Sequence, residues 1–215
     1  MGIWEKTLFK DQSKYNGEVK VIENSGSRLL IANGYIQSQS IRADGHVGNP
    51  LWENLIPQDI SLNPDSRVLI LGLGAGTVAN IITNRFGAIT IDGVDIDPLI
   101  IKLGQKYFSM NQKNLNIFVL DAVDFVTEAR YKYDLICVDI FKGKGVPKGI
   151  ESKVFLENIK NLLKDNGVLT INKIYSGFEE LNRFKKFVQE VFPNSSSIVI
   201  KGTVNLDNVI VYAYK

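Results

Sequence analysis

The chain has one cysteine and one histidine in 215 residues, and each scarcity excludes a chemistry. A lone Cys137 cannot build an internal disulfide framework and suits a reducing compartment. His46 has no second histidine or cysteine nearby, so no metal-ligand set forms around it and no metal is expected. Charge of one sign is also lacking. Twenty-five Lys and Arg against 23 Asp and Glu give a net charge of +2, with no basic stripe interleaved with aromatics, which argues against nucleic acid as a partner. No apolar run approaches the length of a membrane span, and Met1 to Lys6 lack the apolar core of a signal peptide. A cytoplasmic protein without membrane attachment is the expectation. Internal repeats and low-complexity tracts are absent too. What remains, 45% hydrophobic and 22% charged, is an ordinary globular composition, long enough for one domain with a small appendage.

The stretch that organises the chain is Arg67-Val-Leu-Ile-Leu-Gly-Leu-Gly-Ala-Gly76. Val68 to Leu71 is an uncharged apolar run, the composition of a strand buried on both faces. Gly72, Gly74 and Gly76 follow at once, and Val78, Ile81 and Ile82 then recur at helical spacing. Glycines at such a strand-to-helix turn permit positive φ and let a ligand approach the backbone. Behind them lie the unpaired N–H groups of the helix start.

Before this stretch the texture differs. Glu18 to Ile22, Arg28 to Ala32 and Tyr35 to Ile41 alternate or run apolar around turn signals at Glu23 to Ser27 and Asn33-Gly34, predicting an antiparallel β unit of three or four strands. Residues 42 to 64 hold Gly45, Gly48, Pro50, Pro57 and Pro64, a linker with at most a short helix around Leu51 to Leu55. The boundaries expected are 1–56 for the β unit with its linker and 57–215 for the remainder. From residue 67 strands and helices alternate. The strands expected are Ile89 to Ile96, Asn116 to Leu120, Tyr133 to Val138, Val168 to Ile171, Ile198 to Ile200 and Val209 to Tyr214, the last two around a turn at Asn205 to Asn208. The helices expected are Pro98 to Phe108, Ala122 to Ala129, Glu151 to Leu163 (ending near Asn166-Gly167) and Phe178 to Phe192. This alternation implies an α/β fold, a mostly parallel sheet covered by helices with an antiparallel pair at its end.

In an open α/β sheet ligands bind beyond the carboxyl ends of the strands. The residues there are the three glycines, then Asp95, then Asp121, then Asp139. Asp95 falls about twenty residues past the glycines, where a carboxylate can accept hydrogen bonds from both ribose hydroxyls. Each acid has a second reading as a helix or loop cap, with Asp97 the better cap before Pro98. Four successive strand ends carrying a glycine turn or an acid are hard to obtain from capping alone. Dinucleotide enzymes place G-x-G-x-x-G at this turn, whereas here the third glycine comes one residue early. The spacing G-x-G-x-G is that of methyltransferase-fold proteins, which favours S-adenosylmethionine over NAD.

Val68 to Thr77, Gly93-Val-Asp-Ile-Asp-Pro98 and Tyr133-Asp-Leu-Ile-Cys-Val-Asp-Ile-Phe141, together with Tyr15 to Val21 and Asn33-Gly-Tyr-Ile-Gln-Ser38, resemble the spermidine synthase-like branch of class I methyltransferase-fold proteins over almost the whole chain. The resemblance implies a Rossmann-like seven-stranded methyltransferase fold, mostly parallel with an antiparallel C-terminal strand, behind a small N-terminal β-hairpin domain. It implies S-adenosylmethionine, or its decarboxylated form, as cofactor, a small-molecule acceptor and a homodimer. It would set Gly72, Gly74 and Gly76 facing the methionine part, Asp95 at the ribose, Asp121 at the adenine amino group and Gln37 reaching in from the hairpin, with Ile96 and Ala122 also among the cofactor-binding residues. Asp139 matches the acid that orients and deprotonates the attacking group.

Two departures shape the expected activity. Aminopropyltransferases of this family carry a second acid three residues after the first, where this chain has Lys142, with Lys144 and Lys148 close behind. Their Tyr-His-Glu stretch is matched only by Leu51-Trp52-Glu53. A lysine reverses the local field that a polycation would need. The expectation is therefore methyl transfer to a small, neutral or anionic, non-polyamine acceptor. The alternatives are aminopropyl transfer from decarboxylated S-adenosylmethionine and a non-catalytic adenosyl-binding protein.

Overall fold

The computed structural model describes residues 5–141, 147, 149–201 and 207–215. Four strands come first: β1 (Glu5–Ser13), β2 (Gly17–Asn24), β3 (Ser27–Ala32) and β4 (Tyr35–Gln39), an antiparallel sheet in the order β1-β2-β3-β4. Strand β1 carried little signal because both its faces are largely exposed, so no apolar alternation marks it. Pairing with β2, Glu5 opposite Asn24 through Ser13 opposite Gly17, is what makes it a strand.

A short helix α1 (Pro50–Asn54), capped by the Asn49 side chain, follows. Then β5 (Arg67–Leu71), α2 (Thr77–Phe86), β6 (Thr90–Asp95), α3 (Pro98–Tyr107), β7 (Leu115–Val119), α4 (Ala122–Glu128), β8 (Tyr133–Val138), α5 (Lys153–Leu162), β9 (Leu163–Tyr175), α6 (Phe178–Val191), β10 (Ser195–Ile200) and β11 (Asp207–Tyr214) build the main body. Its seven strands run β10-β11-β9-β8-β5-β6-β7, with β11 alone antiparallel to its neighbours.

Period-two alternation divides the core between the two faces. Leu69 and Leu71 of β5 join the cluster under α4, α5 and α6, while Val68 and Ile70 join the one under α1 and α2. All four are fully buried, as a central parallel strand demands. A third cluster joins the small sheet to the main body: Val19, Val21, Leu30 and Ala32 pack on Ala75 and on Ile100 and Leu103 of α3. Leu51, Trp52, Leu55 and Ile56 belong to the main core. Packing thus places the segment from α1 onward with the large sheet.

Two expected boundaries move. Helix α5 ends at Leu162, and Asn166-Gly167 is a kink inside β9 rather than the helix stop. Leu163 already pairs opposite Tyr133, Asn166 takes φ +63°, and a Cβ on Gly167 would sit 2.9 Å from the carbonyl oxygens of Tyr133 and Lys164. Asp207 and Asn208, expected in a turn, pair within β11, and Asn205 and Leu206 lie outside the described residues.

At the amino ends of the strands, away from the glycine turn, lies a buried ionic knot. Asp92, 1% exposed, accepts from Arg67 Nε at 2.8 Å and Nη2 at 3.0 Å, from Tyr133 Oη at 2.8 Å and from Asn116 Nδ2 at 2.8 Å. Every lone pair thus has a donor, the condition under which a buried charge is tolerated. The Arg67 guanidinium also stacks 3.6 Å over the Tyr131 ring.

Candidate functional site

The carboxyl ends of β5, β6, β7 and β8 converge on one cavity of about 240 Å³. Its lining takes Gly72, Gly74, Asp95, Ile96, Asp121, Ala122 and Asp139 from the main body and Gln37 from β4. Eight of the nine residues singled out in the sequence are therefore brought together. Gly76 is the exception. It has φ +88° at the start of α2, and a Cβ there would meet Met110 Cγ at 2.6 Å and Sδ at 2.7 Å. Its glycine requirement is one of packing behind the turn, so Gly76 does not face the cavity as expected.

The other two glycines answer to the site. Gly72, φ +87°, would place a Cβ 2.2 Å from the Asp139 carbonyl oxygen, so only glycine lets β5 end beside β8 there. Gly74, φ +56°, donates its N–H to Asp95 Oδ2 at 2.8 Å, and the Asp97 amide holds Oδ1 at 3.0 Å. Burial raises the Asp95 carboxyl above its ordinary range, and these amides pull it back. Asp121 is both cap and cavity wall: Oδ1 accepts from the Val123 amide at 2.8 Å at the start of α4.

Asp139 follows β8, its amide bonded to the Leu71 carbonyl at 2.8 Å. Oδ1 accepts from Asn172 Nδ2 of β9 at 2.8 Å, and the Trp52 side chain favours the charged form of the same carboxylate. Burial nevertheless dominates and pushes Asp139 up to about 6, against both influences. A carboxylate poised there can take a proton near neutral pH. By contrast, burial pushes the Cys137 thiol up to about 12, which makes it a packing residue.

Several contributors carried no readable signal. Asn172 looks like any strand residue, and Trp52 reads as a core aromatic; both become visible only once α1 and β9 meet at Asp139. Lys14, Tyr15 and Asn16 of the β1–β2 turn also line the cavity, as do Ile100, Leu120, Ile140, Phe141, Pro147 and Ile150. Ser38 and Gln39 fix the small sheet to the glycine turn: the Ala75 amide donates to Ser38 Oγ at 2.8 Å, and Thr77 Oγ1 exchanges two 2.9 Å bonds with the Gln39 backbone. Glu53 bonds the Val47 amide at 3.2 Å and lies 3.3 Å from exposed His46, away from the cavity lining. Lys142, Lys144 and Lys148 lie outside the described residues. Among the described residues no group of His, Cys, Asp and Glu could hold a metal, and no helix is long and apolar enough to cross a membrane.

A seven-stranded sheet with one antiparallel strand, a glycine turn after β5 and acids after the next three strands define a Rossmann-like methyltransferase-fold protein. Within that class the chain belongs to the spermine/spermidine synthase domain family, whose profile matches residues 58–212. It is 27% identical over 169 residues to a polyamine aminopropyltransferase of Methanocaldococcus jannaschii, covering 75% of this chain and 56% of that protein. It is 33% identical over 110 residues to that of Vibrio vulnificus, covering 49% of this chain and 37% of the relative. The chain thus spans about half or less of the length of these relatives. A probable spermidine synthase from Corynebacterium glutamicum superposes with a TM-score of 0.80 over 99% of this chain and 79% of that one, at 17% identity, a likeness of fold.

These relatives overturn the expected methyl transfer to a non-polyamine acceptor, because both carry the name of the aminopropyl-transferring class and the family matched is that of the spermine/spermidine synthases. The expectation leaned on Lys142, which is not described, and on Trp52 as a lost motif residue. Trp52 in fact favours the ionised form of Asp139.

Proposed function

We propose that the chain is an S-adenosyl-dependent transferase that moves the aminopropyl group of decarboxylated S-adenosylmethionine to a small amine. The observation that carries this reading is the charge of the cavity wall. Among its described lining residues Asp95, Asp121 and Asp139 face a single cation, Lys14, so the wall suits a sulfonium and an amine. Membership in the spermine/spermidine synthase domain family and the names of the relatives support the same class.

The residues fit an adenosyl group. Asp95 stands where it can accept from both ribose hydroxyls, Gly72 and Gly74 leave backbone in reach, and Ile96, Ile100, Leu120 and Ala122 give apolar walls beside Asp121 for the base. Gln37 lines the same cavity from β4. The bound donor supplies a sulfonium whose departure as methylthioadenosine drives the transfer. Asp139 orients the neutral amine and receives its proton as the new C–N bond forms and the C–S bond breaks. The cavity walls hold the two reactants in line and keep water out. The acceptor is a small molecule rather than nucleic acid, and the protein acts as a homodimer in the cytoplasm, readings supported by the family resemblance and the balanced charge.

The test is an incubation of the full chain with decarboxylated S-adenosylmethionine and a panel of diamines, scored for methylthioadenosine and the aminopropylated amine. Sedimentation of the same preparation checks the dimer. Tight adenosyl binding by calorimetry with no methylthioadenosine from any amine would overturn the aminopropyl reading.

A further inference from the structure

Asp97 does more than cap a helix. Oδ1 accepts from the Leu99 amide at 2.9 Å, which is the cap of α3. Oδ2 receives two further donors from far along the chain, the Ser13 hydroxyl and Asn16 Nδ2, the latter at 2.7 Å. A cap needs neither. Ser13 Oγ in turn accepts from the amides of Tyr15 at 2.9 Å and Asn16 at 3.1 Å, so one carboxylate oxygen anchors the whole β1–β2 turn. That turn carries Lys14, Tyr15 and Asn16 into the cavity wall. Asp97 is 1% exposed, and its own amide holds Asp95 Oδ1 at 3.0 Å while Gly74 holds Oδ2. An unbroken line of hydrogen bonds therefore runs from the hairpin turn through Asp97 to Asp95 and the glycine turn.

We infer that Asp97 is a positioning residue for the adenosyl ligand: it fastens the β1–β2 turn as a wall of the cavity and sets Asp95 in the same act, so that docking of the turn and binding of the ligand are linked. This rests on the adenosyl reading of the cavity given above. The linkage is local. The small sheet is also held by Ser38 to Ala75, by Gln39 to Thr77 and by Arg28 Nη1 to the Tyr107 carbonyl at 2.9 Å, so freeing the turn leaves the sheet in place.

Two changes release the turn from opposite sides. Asp97→Asn keeps an acceptor for the Leu99 amide but presents an NH2 group to two donors. Ser13→Ala with Asn16→Ala removes the donors and leaves Asp97 intact, which keeps the test valid should Asp97→Asn not fold. Calorimetry of the full chain with methylthioadenosine and S-adenosylmethionine should show each variant binding about tenfold more weakly, as the loss of charge-assisted hydrogen bonds on an ordered wall requires. Combining all three substitutions should add little, since both routes break one link. Tryptic cleavage after exposed Lys14 should be slowed by ligand in the unmodified protein and not in the variants. Unchanged affinity of the folded variants, with only a lower Tm, would overturn the inference and leave Asp97 a cap. Failure of the unmodified protein to bind either ligand would overturn the adenosyl reading together with it.

Discussion

Replacing Asp139 by Asn should lower activity and raise stability together, and both magnitudes come from one carboxylate. Burial holds the folded-state value at about 6, above the ordinary 3.8, although Asn172 donates to the charged form and Trp52 also favours it. The folded protein therefore binds more protons than the unfolded chain between those two values. Stability falls as pH rises through that window, and above it the ionised group costs about 3 kcal/mol at most, two pH units at about 1.4 kcal/mol each. Asn is nearly isosteric and carries no charge. Its unfolding free energy should exceed that of the unmodified protein at pH 7, and the two should meet near pH 4. Activity runs the other way. A base of value about 6 is about nine-tenths ionised at pH 7 and about one-tenth at pH 5, so kcat/KM reckoned on the neutral form of the amine should rise tenfold per unit below 6 and level above it. Asp139→Asn should cut turnover by about two to four orders of magnitude and abolish that limb, with adenosyl affinity unchanged. Trp52→Phe supplies a companion arm. It keeps an aromatic there, removes the indole N–H that favours the carboxylate, and should move the limb to higher pH. Urea titrations at pH 4 and 7 beside a pH–rate profile make the measurement. An Asn variant that is fully active, or no more stable at pH 7 than at pH 4 relative to the unmodified protein, would refute the reasoning.

Asp95→Ala should weaken adenosyl ligands by roughly ten- to a hundredfold in calorimetry, because charge-assisted hydrogen bonds to the ribose are lost; unaltered affinity would remove Asp95 from the ligand. Gly76→Ala should destabilise the fold by about 1 to 3 kcal/mol through its positive φ and its clash with Met110, while the folded fraction binds ligand normally. Asp92→Ala leaves Arg67 without its carboxylate and should cost about 3 to 5 kcal/mol in denaturant titrations, again without changing ligand affinity.

Much of the main body was legible because parallel strands buried on both faces leave short apolar runs that end in a glycine or an acid, as at Leu71-Gly72 and Val138-Asp139. Tyr133–Val138 follows from such a run alone. The turn residues also spoke clearly, with Asn33 at φ +48° before Gly34 joining β3 to β4. What escaped depends on contacts between distant segments. Strand β1 exists by pairing rather than by pattern, Trp52 and Asn172 meet Asp139 only through tertiary packing, and the second duty of Asp97 requires Ser13 and Asn16 to fold back over α3. Gly76 shows the converse limit. A glycine's spacing announces that a side chain has no room, and only the fold says whether a ligand or a methionine fills the space.

The placement of β11 bears on how the molecule is made. This strand lies between β9 and β10, and Val209, Ile210, Val211 and Ala213 are at most 2% exposed. Nascent chain emerging from a ribosome can close β1 to β4 at once, since each of those strands pairs with its neighbour in sequence. The large sheet must wait. Until residues up to Tyr214 are free, β9 has an open edge on one side and β10 has no partner, so two strands stand ready to pair with any other chain. Chains released after synthesis stops before Asp207 should therefore recruit chaperones and aggregate, whereas released chains that include Asp207 to Tyr214 should not.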